Sequence, residues 1–403
     1  MTLTLPIPEN EFDRVLGLSE LDLDYSNLND KFKDLTKLAA RVAGTDISFL
    51  NLIDSFTQWT VSNHGFPLEQ MPREESVCQY TIMGPGQFEV KDLHADVRFK
   101  DKFYVKQDPN FRYYFGLPLI TPQGLSIGAL CVLDKEVKSL NPEKIELLKI
   151  IADEIVNRIA MLHTIQSLRH NLNEATEVKK RVAHDIRGPI GGIIGLAQLI
   201  SKRGDSNKLE DVLQFINLIQ KSGNTLLELA DEILSSDVKS PEKSPELEEH
   251  EFNLLVLKDK LEKLYVPQAR TKEVAFEVLV NPVNDIVPFP KNKLLQITGN
   301  LISNAIKFTP AEGRVTVALD LFFGEGTKTL HIQVSDTGVG LDQKLIEDFL
   351  KGTSSSTEGT KGEQGYGFGL PLVKYLIETL KGTIAIQSVP GQGSTIDVRL
   401  PID

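Results

Sequence analysis

An α+β multidomain fold is what this sequence predicts, on three observations. The first stretch mixes helical and strand patterns, the middle has helical spacing only, and the last gathers its glycines late. Length agrees, since 403 residues far exceed the roughly 150 typical of one domain. A hydrophobic share of 41% and a charged share of 25% fit globular domains and exclude a fibrous or disordered chain. The 44 Lys and Arg against 56 Asp and Glu give a net charge of −12, with no long basic run. That balance argues against direct nucleic-acid binding and against an anionic membrane surface. Two cysteines supply neither a disulfide framework nor a structural zinc site. Met1 to Asp13 lacks the basic-then-apolar pattern of a signal peptide, so a cytoplasmic protein is expected.

In the first region, Asp30 to Val42 has helical spacing at Phe32, Leu35, Leu38, Ala39 and Val42, while Ile47 to Ile53 and Phe88 to Val90 read as strands. Tyr113 to Leu133 is uncharged and long enough to span a bilayer. Yet Thr121-Pro122-Gln123-Gly124 is a turn between two apolar runs, so a buried hairpin is expected and no membrane insertion. The region reads as an antiparallel sheet covered by helices.

Asn141-Pro142 starts the helical region, with an N-cap residue followed by proline in the first turn. Apolar residues then recur every three or four positions from Ile151 to Ile186, with no breaker before Gly188-Pro189. This is a coiled-coil seam with one irregular step near Ile165. After a polar break at Arg203 to Asn207, a second amphipathic helix runs from Leu209 to Ile233. Such a hairpin buries its apolar faces best by pairing into a four-helix homodimer. Ser240 to Glu249 is a linker, and the domains are placed at 1–160, 161–240 and 245–403.

The last region carries Asn300-Leu301-Ile302-Ser303-Asn304-Ala305-Ile306-Lys307-Phe308, then Asp336-Thr337-Gly338-Val339-Gly340, then Gly365-Tyr366-Gly367-Phe368-Gly369-Leu370. Spacings of four and three put Asn300, Asn304 and Lys307 on one helix face, where amides and a cation serve a metal ion and a phosphate. Alternate glycines let backbone amides approach phosphate oxygens. Neither cluster fits a P-loop or a dinucleotide fingerprint.

In this order the boxes resemble the nucleotide-binding fold of sensor histidine kinases, an α/β sandwich of the Bergerat type. The resemblance covers Leu294 to Thr395 and ends on Gly391-Gln392-Gly393-Ser394-Thr395. It implies ATP and Mg²⁺ as cofactors. By it, Asn304 would hold the Mg²⁺ with Asn300 nearby, Lys307 would face phosphate, and Phe308 would pack beside the nucleotide. Asp336 would accept from the adenine amino group in a pocket shaped by Gly338, Gly340 and Thr395. Gly365, Gly367, Gly369 and Leu370 would close over the phosphates, with the Ser-rich segment at 352–362 as a lid.

Upstream, Val182-Ala183-His184-Asp185-Ile186-Arg187-Gly188-Pro189 resembles the phosphoacceptor box of the same family. Near neutral pH an imidazole is largely uncharged and can attack the γ-phosphorus. Asp185 would orient the ring and take its proton. Pro189 permits a bend after the nucleophile. His163 and His170 share the heptad position of His184, but only His184 has Asp, Arg and Pro around it. Relatives that dephosphorylate their partner carry Thr or Asn four residues after the histidine; here that residue is Gly188, so weak phosphatase activity is expected.

Glu75-Ser76-Val77-Cys78-Gln79-Tyr80-Thr81-Ile82, Tyr114-Phe115-Gly116-Leu117-Pro118-Leu119 and Gly128-Ala129-Leu130-Cys131-Val132-Leu133-Asp134 resemble a GAF sensory domain. No ligand follows, and Gln79 stands where bilin-attaching relatives have histidine, which argues against a chromophore. Buried packing is favoured over redox sensing for Cys78 and Cys131, and Trp59, His64 and His94 show no partner in sequence. The expectation is a cytoplasmic homodimeric sensor histidine kinase, responding to an unknown small-molecule or protein signal and passing phosphate to a response-regulator receiver. A nucleotide-gated binding protein or scaffold of the same ATPase fold is the alternative.

Overall fold

The computed structural model describes residues 6–25, 28–203, 208–235, 251–291, 293–324, 327–343, 345–346, 359–360 and 367–402. The linker expected at Ser240 to Glu249 lies outside the described residues. The chain forms two compact units, Met1–His163 together with Leu247–Asp403, and Thr164–Glu246. No helix among the described residues is long and apolar enough to cross a membrane.

The N-terminal module opens with α1 (Glu11–Glu20) and α2 (Asn29–Ala43), the latter ended by Gly44 in the left-handed conformation that a Cβ disfavours. A six-stranded sheet follows: β1 (Ile47–Ile53), β2 (Thr57–His64), β3 (Gln70–Pro72), β4 (Phe88–Val90), β5 (Tyr113–Ile120) and β6 (Ser126–Asp134), in the order β3-β2-β1-β6-β5-β4. The turn at Thr121 to Gly124 joins β5 and β6 as the hairpin expected from sequence, and every neighbouring pair is antiparallel. Strands β1 and β6 are buried along their whole length, so successive side chains feed two cores. Leu50, Leu52, Leu130 and Val132 face α2 and the buried start of the next long helix, while Phe49, Ile53, Cys131 and Leu133 face a second core with Cys78, Tyr104 and Tyr114. Two one-turn helices, α3 (Cys78–Thr81) and α4 (Phe103–Lys106), close that second core.

Helix α5 (Pro142–Arg203) begins where Asn141 Oδ1 accepts from the Lys144 N–H at 2.9 Å, the expected cap. Its first turns bury Leu148, Ile151, Ile155 and Ile159 against the N-terminal sheet. It continues through Pro189 as one helix. In the second unit, α5 returns as α6 (Leu209–Ser235), and a Cβ on Gly192 would stand 3.9 Å from Ser222 Oγ. Those two residues lie at similar distances from the connecting loop, so the helices form an antiparallel hairpin. Ile190, Ile194, Leu213, Leu218 and Leu227 remain exposed on it.

The C-terminal module contains β7 (Glu251–Phe252), α7 (Leu254–Thr271), β8 (Ala275–Val280), β9 (Phe289–Pro290), α8 (Leu294–Phe308), β10 (Arg314–Phe323), β11 (Lys328–Asp336), α9 (Gly369–Thr379), β12 (Thr383–Val389) and β13 (Gly393–Ile402). Five strands make a mixed sheet, β12-β13-β11-β10-β8, in which β8 and β10 are parallel. Period-two burial along β10 and β11 leaves one face for α7, α8 and α9. Beneath these helices the core runs on into that of the N-terminal module, joined through Trp59 and Tyr265, whose rings meet edge to face at 5.8 Å.

Candidate functional site

Helix α8 is buried almost throughout, although its sequence includes Gln296, Asn300, Ser303, Asn304 and Lys307. Asn300 Nδ2 donates to the Gln296 carbonyl one turn back at 2.8 Å. Its Oδ1, and Nδ2 of Asn304, are buried with no hydrogen-bond partner among the described residues. Gln296 Oε1, one turn earlier on the same face, is a third such atom. Each costs about 1–3 kcal/mol when left without a partner, so the row points to a polar ligand there. Next along that face, Lys307 Nζ stands 4.9 Å from the centroid of the Phe308 ring.

The Asp336 turn meets the C-terminal end of this helix. The Val339 N–H donates to the Phe308 carbonyl at 3.1 Å, and Asp336 Oδ1 accepts from the N–H of Gly338 at 2.8 Å and of Ser394 at 3.2 Å. Burial pushes the Asp336 carboxyl above the ordinary range, against these two N–H donors, which pull it down. A Cβ on Gly338 would collide with the Phe308 carbonyl and with Asp336 Oδ1. Gly340 has φ +68°, and a Cβ there would strike the Val389 carbonyl. Pairing of β11 with β13 sets Thr395 opposite Ser335, with the two hydroxyls 3.1 Å apart.

Gly367, at φ +80°, and Gly369 lead into α9, on which Leu370 packs against the core. Gly365 and most of the Ser-rich segment lie outside the described residues. Thr360 is described, and its hydroxyl lies 3.3 Å and 3.2 Å from the Lys307 and Thr309 carbonyls. The structure therefore brings Asn300, Asn304, Lys307, Phe308, Asp336, Gly338 and Gly369 together around the end of one helix. His184 and Asp185 are carried by α5 in the other compact unit, and their side chains lie outside those described. Among the described residues, a Cβ at Gly188 would meet nothing within 4 Å.

Sequence reasoning did not find Phe56. It sits at the tip of the β1–β2 turn, which is held by Asp54: Oδ1 accepts from the N–H of Phe56 at 2.8 Å and of Thr57 at 2.7 Å, and Oδ2 from Trp59 Nε1 at 2.5 Å. The Asp54 pattern marks a turn in sequence, but nothing local says what the tip touches. The Phe56 ring lies against Gly369, where a Cβ would collide with it and would also come within 2.9 Å of Asn300 Oδ1. Its centroid is 5.8 Å from Lys307 Nζ. Around it, Gln70 Nε2 donates to the Leu264 carbonyl at 2.7 Å, Gln268 Nε2 to Thr57 Oγ1 at 3.0 Å, and Lys260 pairs with Asp24 at 2.8 Å. Beside the ring is a cleft of about 350 Å³, with Lys272 and Lys307 on one wall and Glu74 and Glu75 on the other. Trp59, with no partner visible in sequence, is the centre of this contact, stacked on Tyr25 at 5.4 Å.

Comparison with known proteins assigns two segments. Residues 290–403 match the family of histidine kinase-, DNA gyrase B- and HSP90-like ATPases, and residues 177–237 match the His Kinase A phospho-acceptor domain. The two domains of a histidine kinase are thus present in the chain, and neither match extends over the N-terminal module. Over 227 residues the chain is 35% identical to the autoinducer 2 sensor kinase/phosphatase LuxQ of Vibrio vulnificus, covering 55% of this chain and 26% of that protein. It is 34% identical over 180 residues to a cyclic di-GMP phosphodiesterase of Pseudomonas aeruginosa, covering 44% and 30%. It is 31% identical over 246 residues to the cell-division control histidine kinase PdhS of Brucella canis, covering 57% and 23%. The chain spans between about a quarter and a third of the length of these relatives.

Proposed function

We propose that this protein is a histidine kinase that phosphorylates His184 from ATP and passes the phosphoryl group to an aspartate of a response-regulator receiver. The observation that carries the reading is the buried polar face of α8, where Asn300 and Asn304 hold amide atoms with no partner among the described residues, beside Lys307. It lies within the matched ATPase segment, downstream of a matched phospho-acceptor helix.

The residues fit their assigned tasks. Asp336, held by two backbone N–H groups, presents its remaining acceptor capacity to the adenine amino group. Lys307, with the backbone N–H groups at the start of α9, faces the phosphates. Asn304 would hold Mg²⁺ through its side-chain oxygen, with Asn300 nearby; when bound, the ion neutralises charge on the phosphates. His184 supplies the nucleophile, its nitrogen bonding to the γ-phosphorus as the bond to the ADP oxygen breaks, and Asp185 takes the proton. Catalysis is then mostly positioning and charge stabilisation.

The apolar residues exposed on the α5–α6 hairpin support a homodimer that pairs two hairpins. We assign residues 1–160 to a GAF-type sensory module, 161–240 to the dimerisation and phosphotransfer helices, and 245–403 to the catalytic module. With Phe56 against Gly369 and near Lys307, the phosphate end of the site is covered, so this arrangement is a resting one. The signal acts by moving the N-terminal module off the site. Gly188 has no side chain to hold a hydrolytic water, so phosphatase activity is weak. Incubation with radiolabelled ATP tests the central reading. The full chain should gain acid-labile, base-stable label and the His184→Gln variant none; equal labelling of the variant sinks the assignment.

A further inference from the structure

In the second core of the N-terminal module, Cys78 at the start of α3 and Cys131 on β6 come together. Their sulfurs are 3.8 Å apart, and both residues are buried. Polar groups converge on this pair inside an otherwise apolar core. Asn51 Nδ2 donates to both sulfurs, at 3.2 Å and 3.4 Å, and its amide is oriented because Oδ1 accepts from Thr60 Oγ1 at 2.8 Å. The Tyr114 hydroxyl donates to Cys78 Sγ at 3.2 Å and lies 2.7 Å from Thr81 Oγ1. Core packing alone does not call for two polar donors aimed at one sulfur. A cavity of about 50 Å³ opens on both cysteines, room for a molecule a little larger than water. Half-exposed Phe103 lies at its edge.

We propose that Cys78 and Cys131 form a reversible dithiol switch that reacts with a small hydroperoxide entering this cavity. Cys78 is the attacking group. Burial would raise its pKa, but the donors from Cys131, Tyr114 and Asn51 outweigh burial and hold it below the ordinary thiol value. Burial, followed by the neighbouring Cys78, pushes Cys131 well up, so it stays a thiol until it is needed. The Cys78 sulfur attacks one peroxide oxygen; an S–O bond forms, the O–O bond breaks, and the departing oxygen leaves as an alcohol or water with a proton. Cys131 then attacks the sulfenic sulfur, the S–S bond forms, the S–O bond breaks, and water leaves with the Cys131 proton. Two thiols lose two electrons and two protons, and the hydroperoxide takes them up. The sulfurs must close from 3.8 Å to about 2.05 Å, which pulls the start of α3 toward β6. That pull is felt at Met71, which lines both this cavity and the cleft beside Phe56.

The experiment is titration of the reduced full chain with hydrogen peroxide, followed by intact-mass and non-reducing peptide mapping. Wild type should lose both thiols together, fall by about 2 Da, yield one peptide pair linking residues 78 and 131, and recover with dithiothreitol. Cys131→Ser should stop at a dimedone-reactive sulfenic acid on Cys78. Tyr114→Phe, which keeps the ring, should slow disulfide formation severalfold by removing a donor to the sulfur. A circular-dichroism melt confirms that each variant is folded. Independent oxidation of the cysteines, over-oxidation without a linked peptide, or thiols that persist under excess peroxide in folded wild type overturns the proposal. None of these readouts involves phosphorylation.

Discussion

Replacing Phe56 with alanine should tighten nucleotide binding while weakening the fold. The ring is half-buried between Gly369 and Lys307. A fully buried Phe costs about 3–5 kcal/mol on truncation, so a half-buried one costs about 2 kcal/mol. Loss of the cation–π contact to Lys307 adds about 0.5 kcal/mol. Both losses fall on the docked arrangement and not on the empty nucleotide site. On the proposed reading, docking and phosphate binding compete for the same space, so apparent affinity scales with the fraction of molecules whose site is open. At about 1.4 kcal/mol per tenfold, the combined loss of about 2.5 kcal/mol of docking strengthens nucleotide binding by up to about 60-fold when the docked form dominates. Calorimetric titration of the full chain with a non-hydrolysable ATP analogue reads the affinity, and a thermal melt reads the stability. Affinity and melting temperature should move in opposite directions. Unchanged or weaker binding by folded Phe56→Ala would refute the idea that this residue blocks the site.

Other outcomes follow from the same geometry. Asn304→Asp should keep the fold but reduce His184 labelling by about 100-fold or more, measured as acid-labile phosphate, because the site loses its placed amide. The raised carboxyl of Asp336 is protonated at higher pH than an ordinary aspartate, so adenine nucleotide affinity should fall as pH drops toward that raised value. The folded state holds this proton more tightly than the unfolded chain. Asp336 therefore disfavours folding at neutral pH, and the penalty is relieved as pH falls through its folded pKa; Asp336→Asn should bind weakly at every pH. Among the described residues, a side chain on Gly188 meets open space. Gly188→Thr should therefore be tolerated, gain a few tenths of a kcal/mol in helix stability, and speed loss of phosphate from a phosphorylated receiver.

Much of the fold was legible in sequence because its strongest patterns are local. The helix read at Asp30 to Val42 is α2, the strands at Ile47 to Ile53 and Phe88 to Val90 are β1 and β4, and the Pro-Gly turn after Ile120 joins β5 to β6. Each follows from hydrophobic period or from turn chemistry carried by the residues themselves. The polar face of α8 was legible for the same reason, since Asn300, Asn304 and Lys307 share one helix. That the face is buried was not, because burial depends on what other segments bring to it. Cys78 and Cys131 are 53 residues apart, and only the pairing of β6 with β1 beside α3 sets their sulfurs together.

Phe56 is the clearest case of what local pattern cannot reach. Its conformation is written in its neighbours, through Asp54 accepting from two turn N–H groups and from Trp59. Its contact is not, because Gly369 and Lys307 lie more than 250 residues further along the chain. The same Asp54 that shapes the turn also fixes Trp59, and Trp59 carries the aromatic contact to Tyr25 and Tyr265 that joins the two modules. One half-buried carboxylate therefore couples the shape of the tip to the interface behind it. Asp54→Ala should release both at once, loosening the docked arrangement more than Phe56→Ala does. If nucleotide affinity rises further in Asp54→Ala than in Phe56→Ala, the turn acts as a single lever on the site. If it rises less, the ring alone sets the closure.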